Sequence, residues 1–168
     1  PSLPEPVQLT LKASQGMVGW SPSPRLHKRL QAAQAQPCPC GSDMPYADCC
    51  GRWHDGLAAQ PPRHAPTPEA LMRSRYSAYV FGLADYLLAT WHPSTAPGEL
   101  ELQAIKWIGL EVRHAAVSGE AGVVEFVARY RDANGRAGRL HELSRFVREG
   151  EDEAARWTYI DGHTPAPD

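Results

Sequence analysis

The run Cys38-Pro-Cys40-Gly-Ser-Asp-Met-Pro-Tyr-Ala-Asp-Cys49-Cys50 gathers all four cysteines of a 168-residue chain into thirteen consecutive positions. Thiolates are soft ligands, and zinc in structural sites takes four of them in a tetrahedron. A tight Cys-x-Cys turn aims two sulfurs at one point, and the eight residues that follow are enough to loop round and return two more. Adjacent cysteines diverge in a strand. In a helical turn they are only about 100° apart, so Cys49 and Cys50 can both lean toward one ion. Gly41 relieves the turn beside the metal, and Gly51 lets the chain leave it. A structural zinc ion on Cys38, Cys40, Cys49 and Cys50 is the reading these residues favour. Three others compete. Disulfides are disfavoured by the strain of bridging near neighbours. Free buried thiols are the second. A redox pair is the third, and its usual Cys-x-x-Cys spacing is absent. His54 is an alternative to Cys50 as the fourth ligand.

The elements that must position these residues follow from composition and periodicity. Proline crowds residues 1–68 and is sparse from 69 to 164. Residues 1–36 read as an extended or disordered leader, within which Arg25 to Gln34 has the spacing of a short helix. Residues 37–59 form the cysteine module. Residues 60–67 are a stiff, proline-rich linker, which predicts that the module and the domain beyond it are separable. Thr67-Pro68-Glu69 reads as a helix start, with Thr67 as N-cap and Pro68 in the first turn. Leu71, Met72, Tyr76, Tyr79, Val80 and Leu83 then recur at helical spacing. Gly82 interrupts that run. Asp85 to Trp91 predicts a second short helix, stopped by His92-Pro93, and Glu99 to Gln103 one more helical turn.

From Ile105 the period changes to two. Ile108, Leu110, Val112 and His114 alternate with Trp107, Glu111 and Arg113, and Val124, Phe126, Ala128 and Tyr130 form a second such set. Leu140 to Arg148 and Arg156 to Asp161 make two more strands. Asn134-Gly135 is a hairpin signal, and Ser118-Gly119 with Gly122 marks another turn. Helices followed by four antiparallel strands predict an α+β domain over residues 68–164, its helices packed on one face of a curved sheet.

Composition narrows the function classes. The net charge of −2 gives no reason to expect nucleic acid as a partner. No apolar run has the length of a membrane helix, and no secretory signal is visible, so a cytoplasmic location with reduced cysteines is expected. No catalytic constellation stands out. If the α+β domain encloses a cavity, Arg73, Arg75, Tyr79, His92, Arg145, Tyr159 and Asp161 are the polar and aromatic residues to line it. His92 and Asp161 are the leading acid–base candidates. The plainer readings are a helix C-terminal role for His92, surface or ion-pair duty for Arg73 and Arg75, and a buried ion pair of Arg145 with Asp161 or Glu125. Trp91, Trp107 and Trp157 read as core or core-edge residues.

Cys-Pro-Cys-Gly-Ser…Tyr…Cys-Cys resembles the SEC-C motif, a short zinc-binding module familiar from the tail of the bacterial preprotein-translocase motor, where it contacts an export chaperone and the ribosome. The resemblance implies Cys38, Cys40, Cys49 and Cys50 as ligands, with Cys-Cys where the motor has Cys-His. Downstream, Leu71-Met-Arg-Ser-Arg-Tyr76, Thr90-Trp-His-Pro93, Ser144-Arg-Phe146 and Trp157-Thr-Tyr-Ile-Asp-Gly162 look like the YchJ family of uncharacterised bacterial proteins, from about Pro37 to Gly162. That resemblance implies a cone-like domain similar to nuclear transport factor 2 over residues 68–162. Several members also end in a second SEC-C motif, and residues 163–168 carry none. The expectation is therefore one zinc ion and a protein-interaction role, with a chaperone, a nascent chain or the ribosome as partner. The alternative is a small-molecule-binding protein or enzyme using the cone.

Overall fold

The computed structural model describes residues 23–167. The part of the expected leader at residues 1–22 lies outside them. Helix α1 spans Pro24–Ala33, α2 Cys50–Gly56, α3 Pro68–Phe81 and α4 Ala84–Ala89, and a single 3₁₀ turn at Tyr46–Asp48 precedes α2. The strands are β1 (Lys106–Ser118), β2 (Ala121–Arg131), β3 (Ala137–Glu149) and β4 (Arg156–His163), all antiparallel in the order β1-β2-β3-β4. The fold is the expected α+β arrangement, with helices on one face of a four-stranded antiparallel sheet.

Local chemistry explains the main boundaries. Thr67 Oγ1 accepts from Ala70 N–H at 3.0 Å, Pro68 sits in the first turn, and Gly82 ends α3 in the left-handed region at φ +75°. The β2–β3 hairpin closes around Asp132, whose Oδ1 accepts from the N–H groups of Asn134 and Arg136, both at 2.9 Å. The stretch 99–103 is not helical, contrary to expectation. Pro97-Gly98 just before it supplies no cap, and five residues are too few to hold a turn without one.

Two alternations in register decide what faces the core. A shift between Trp107 and Gly109 puts Trp107, Leu110 and Val112 against the helices and turns Ile108 outward, 47% exposed. A strict period of two places Ile108 with Leu110; the bulge breaks that parity. On β3, Leu140, Glu142, Ser144 and Phe146 share the inner parity, so two polar side chains enter the interior.

The expected separation of a cysteine module from an α+β domain gives way to one continuous core. Cys38, Cys40, Tyr46 and Cys50 belong to the same buried cluster as Leu71, Met72, Tyr76, Phe81 and Tyr86. The proline-rich segment folds back on α2 instead of holding the two regions apart. Arg63 N–H donates to Gly56 O at 3.0 Å, and Ala65 is buried.

Candidate metal centre

The cysteines are brought together by very local backbone structure. Residues 37 and 45 pair as an isolated antiparallel bridge, and Cys38 N–H donates to Met44 O at 2.8 Å. The tip between them needs a left-handed turn, met by Gly41 at φ +80° and Asp43 at φ +64°. After the bridge, the 3₁₀ turn leads to Cys49, which caps α2, and Cys50 is the first residue of that helix. Gly51 is obligatory for a reason besides flexibility: a Cβ there would lie 2.7 Å from Tyr46 O.

The four sulfurs lie within 4.8 Å of one another, with Cys38, Cys40 and Cys50 buried and Cys49 half-buried. The Cys40–Cys49 and Cys49–Cys50 sulfur separations are 3.6 and 4.0 Å. A tetrahedral ion with metal–sulfur bonds of about 2.3 Å requires edges of about 3.8 Å, so these two edges match one ion and the set as a whole needs at most a contraction of about 1 Å to close on it. Hydroxyls support two sulfurs: Ser42 Oγ is 3.1 Å from Cys49 Sγ, and Ser77 Oγ of α3 is 3.6 Å from Cys38 Sγ. Without a cation the sulfurs cannot all ionise. The Cys50 thiol is pushed up by its contacts with Cys38 and then Cys40, and the Cys38 thiol by its contact with Cys40. Cys40 is pushed down in turn by the same two neighbours, Cys38 first. A divalent ion removes that competition.

His54 is not a ligand. Its Nδ1 accepts from Tyr46 Oη at 2.5 Å and its Nε2 faces Ser74 O at 2.8 Å, so both ring nitrogens are engaged. The ring also stands edge-on to Tyr86, with centroids 4.6 Å apart. Burial lowers its pKa to about 4. His54 is a rivet between α2 and the α3–α4 pair. Arg73 adds a second tie, donating from Nη1 to Cys40 O at 2.9 Å while its Nε lies 3.6 Å from Glu69.

The seven residues expected to line a cavity do not form one site. Arg75 and Tyr159 do meet inside the cone, and Tyr79 packs against the same core beside Trp107. Arg75 is buried, donates from Nη1 to Leu87 O and Thr90 Oγ1, both at 2.8 Å, and packs over Tyr159 and Trp91. Tyr159 Oη donates to Glu142 Oε1 at 3.4 Å, and Ser144 Oγ to the same oxygen at 2.7 Å. Burial raises the carboxyl of Glu142 and the phenol of Tyr159. Glu142 and Ser144 are not among the residues expected to line the cavity, although their inward parity between Leu140 and Phe146 is a signal that could have found them. Arg73 belongs to the cysteine loop instead. Arg145 and Asp161 form an ion pair on the outer, exposed face of the sheet, with Arg145 Nε donating to Asp161 Oδ1 at 2.6 Å. His92 is beyond α4 on a segment running along β4: Trp91 bridges Tyr159, and His92 N–H donates to Tyr159 O at 2.7 Å. Its imidazole links Ser94 Oγ and Glu149 Oε1, each at 2.7 Å. A crevice between the 60–67 segment, α3, α4 and β4 has room for about one water, ≈ 10 Å³, and none of the seven lines it.

Comparison with known proteins agrees with this architecture. Residues 35–52 match the SEC-C motif, and residues 67–162 match the family described as YchJ, middle NTF2-like domain. The chain belongs to the YchJ family. A UPF0225 protein of Bordetella pertussis is 54% identical over 128 residues, covering 74% of this chain and 90% of the relative. A UPF0225 protein of Cupriavidus metallidurans is 52% identical over 135 residues, covering 78% and 91%. Two solved structures share the fold. The crystal structure of a SEC-C motif containing protein from Psychrobacter arcticus superposes with a TM-score of 0.67 at 30% identity, over 82% of this chain and 87% of that one. The solution structure of a SEC-C motif containing protein from Rhodopseudomonas palustris gives 0.63 at 32%, over 78% and 100%. Among the described residues no helix is long and apolar enough to cross a membrane.

Proposed function

We propose that this YchJ-family chain is a cytoplasmic, zinc-stapled protein-interaction module that docks a protein partner through its SEC-C loop. The observation that carries the reading is the closed donor set. Four sulfurs within 4.8 Å of one another leave a tetrahedral ion no open position for substrate or water, so the metal's work is structural. An all-sulfur tetrahedral set favours zinc over hard cations. What the metal holds out is the tip from Gly41 to Pro45, where Met44 is 44% exposed. A flexible thioether on a fixed loop suits a partner surface that must be accommodated rather than matched atom for atom. A chaperone, a nascent chain or the ribosome is the class of partner implied by other SEC-C modules.

The buried Arg75–Tyr159–Glu142 chain favours a second reading, a ligand or reaction site inside the cone. Against it stands the packing: Arg75 is covered by Trp91 and Tyr159, and Tyr159 by Phe146, where an open polar pocket would be needed.

The two readings separate by mutation. Purified ribosomes and a purified export chaperone are offered to immobilised wild-type protein and three variants. Cys49→Ser removes a ligand and should abolish capture. Met44→Asp keeps the metal, which elemental analysis checks, and should weaken capture at least tenfold. Tyr159→Phe removes the hydroxyl that reaches Glu142 inside the cone and should capture like wild type. Loss of capture in Tyr159→Phe with metal retained, or undiminished capture by Met44→Asp, would overturn docking through the loop.

A further inference from the structure

The crevice beside the 60–67 segment carries chemistry that the docking reading does not use. Its floor is apolar: Leu71, Tyr86 and Trp157 are 2%, 4% and 7% exposed. Its rim carries Arg63, His64 and Arg156. The ion pairs found among the described residues involve neither arginine. Glu149 is opposite Arg156 in the β3–β4 register, but its carboxylate is taken by His92 Nε2 at 2.7 Å. Two arginines and an imidazole thus line one crevice with an apolar floor, and none of those ion pairs includes either arginine.

The backbone fixes this rim. Arg63 N–H is tied to Gly56 O at 3.0 Å, and Gly56 admits that approach because a Cβ on it would fall 2.5 Å from Arg63 O. Pro61, Pro62 and Pro66 stiffen the segment on both sides of His64. Arg156 is the first residue of β4. A site whose donors sit on restrained backbone loses less entropy when a ligand arrives.

We propose that this crevice is an oxyanion site that takes the phosphate group of a small phosphate monoester. The charge count selects the ligand. A phosphate monoester carries about −1.5 to −2 at neutral pH, matching two guanidinium groups, whereas a carboxylate leaves one of them unbalanced. Guanidinium forks also meet phosphate oxygens in pairs. The volume sets the limit on recognition. With room for about one water, the crevice seats part of the head group, and the body of the ligand stays outside. Discrimination therefore falls on the anion and hardly on what it is attached to.

His64 is the built-in reporter. Burial and the neighbouring Arg156 both hold its pKa below the usual imidazole value. An anion seated between them offsets Arg156 and must raise it. The experiment uses the full, metal-loaded chain and follows the His64 ring signals by NMR at low, constant ionic strength, because such contacts are screened by salt. Inorganic phosphate, phenyl phosphate and benzoate are titrated separately, with chloride as the balancing salt. Both phosphates should saturate with similar affinity and raise the His64 pKa, and benzoate should bind at least tenfold more weakly. Arg156→Gln should raise the His64 pKa in the absence of any ligand and reduce the response to phosphate. Arg63→Gln, at an exposed position, should weaken phosphate binding with the fold intact. The proposal is overturned if chloride gives the same shift, if benzoate binds as well as phenyl phosphate, or if Arg63→Gln and Arg156→Gln together leave the response unchanged.

Discussion

At the cysteine cluster, four groups of the same kind crowd within 4.8 Å, and Cys38, Cys40 and Cys50 compete for protons. In the cone interior, Arg75 and Glu142 are of opposite sign and do not form an ion pair; Tyr159 stands between them, its ring 4.5 Å from the guanidinium carbon and its hydroxyl on the carboxylate. Both regions bury ionisable groups, and burial of charge is costly unless something compensates it. In the first region the compensation would come from a metal ion held by the four sulfurs. The second is satisfied by the chain itself, through Leu87 O, Thr90 Oγ1, Ser144 and two aromatic faces. With zinc bound as proposed, the cysteine region is conditional on metal and the interior is not. Because the two share one core, the condition extends to the whole domain.

Metal removal is the strongest way to break this comparison. Structural zinc in small domains contributes about 10–16 kcal/mol, comparable with or larger than the roughly 5–15 kcal/mol that holds an ordinary domain folded. Chelation, or Cys49→Ser, should therefore melt helices and strands in a single transition, seen as coincident loss of tryptophan fluorescence and far-UV circular dichroism. Strands that stay folded while residues 38–54 unravel would restore the picture of separable modules.

The interior should respond differently. Arg75→Ala removes two hydrogen bonds and empties the space beneath Trp91 and Tyr159, for a loss of about 3–5 kcal/mol in denaturant unfolding. Arg75→Met keeps the volume and should recover part of that loss, since much of the contribution of a buried arginine is its packing. Metal content should stay at one ion per chain in both variants. If Arg75→Met is as damaging as Arg75→Ala, the charge rather than the packing organises the interior.

The contrast also explains what the sequence discloses. Signals confined to a few neighbouring residues are legible: four cysteines in thirteen positions, Thr67-Pro68-Glu69 opening α3, Asn134-Gly135 in a hairpin. Features set by distant partners are not. Ile108 faces outward because of a register shift that β2 imposes on β1. Arg73 and Arg75 read alike, as cavity-lining or as surface residues, because nothing local separates them. Arg75 is buried by partners from α4 and β4, 12 to 84 positions away, and Arg73 reaches Cys40 O, 33 positions away. The proline-rich stretch reads as a linker, since composition reveals stiffness but not whether a stiff segment is docked. The fold class needs only period and order, which is why it is the most accessible feature.

His54 connects the two regions, and its titration should give the smallest of these effects. It enters from α2 and is clamped by Tyr46 Oη and Ser74 O, leaving no room for a second ring proton: Nε2–H donates to the carbonyl and Nδ1 must stay an acceptor. Burial holds its pKa at about 4, against an ordinary 6.5. The unfolded chain thus binds this proton over a range where the native chain refuses it. Stability from this group is fully present above pH 6.5, and it is lost as pH falls from 6.5 toward 4, to a total of about 3 kcal/mol. Cysteine protonation and metal release act in the same direction, so the global acid transition does not isolate His54. Its ring signals do. In the zinc-loaded protein the His54 resonance should stay in its neutral position down to about pH 4, with bound metal measured at each step. A midpoint near 6.5 with metal still bound would mean that the ring is not clamped, and that the cysteine segment moves independently of α3 after all.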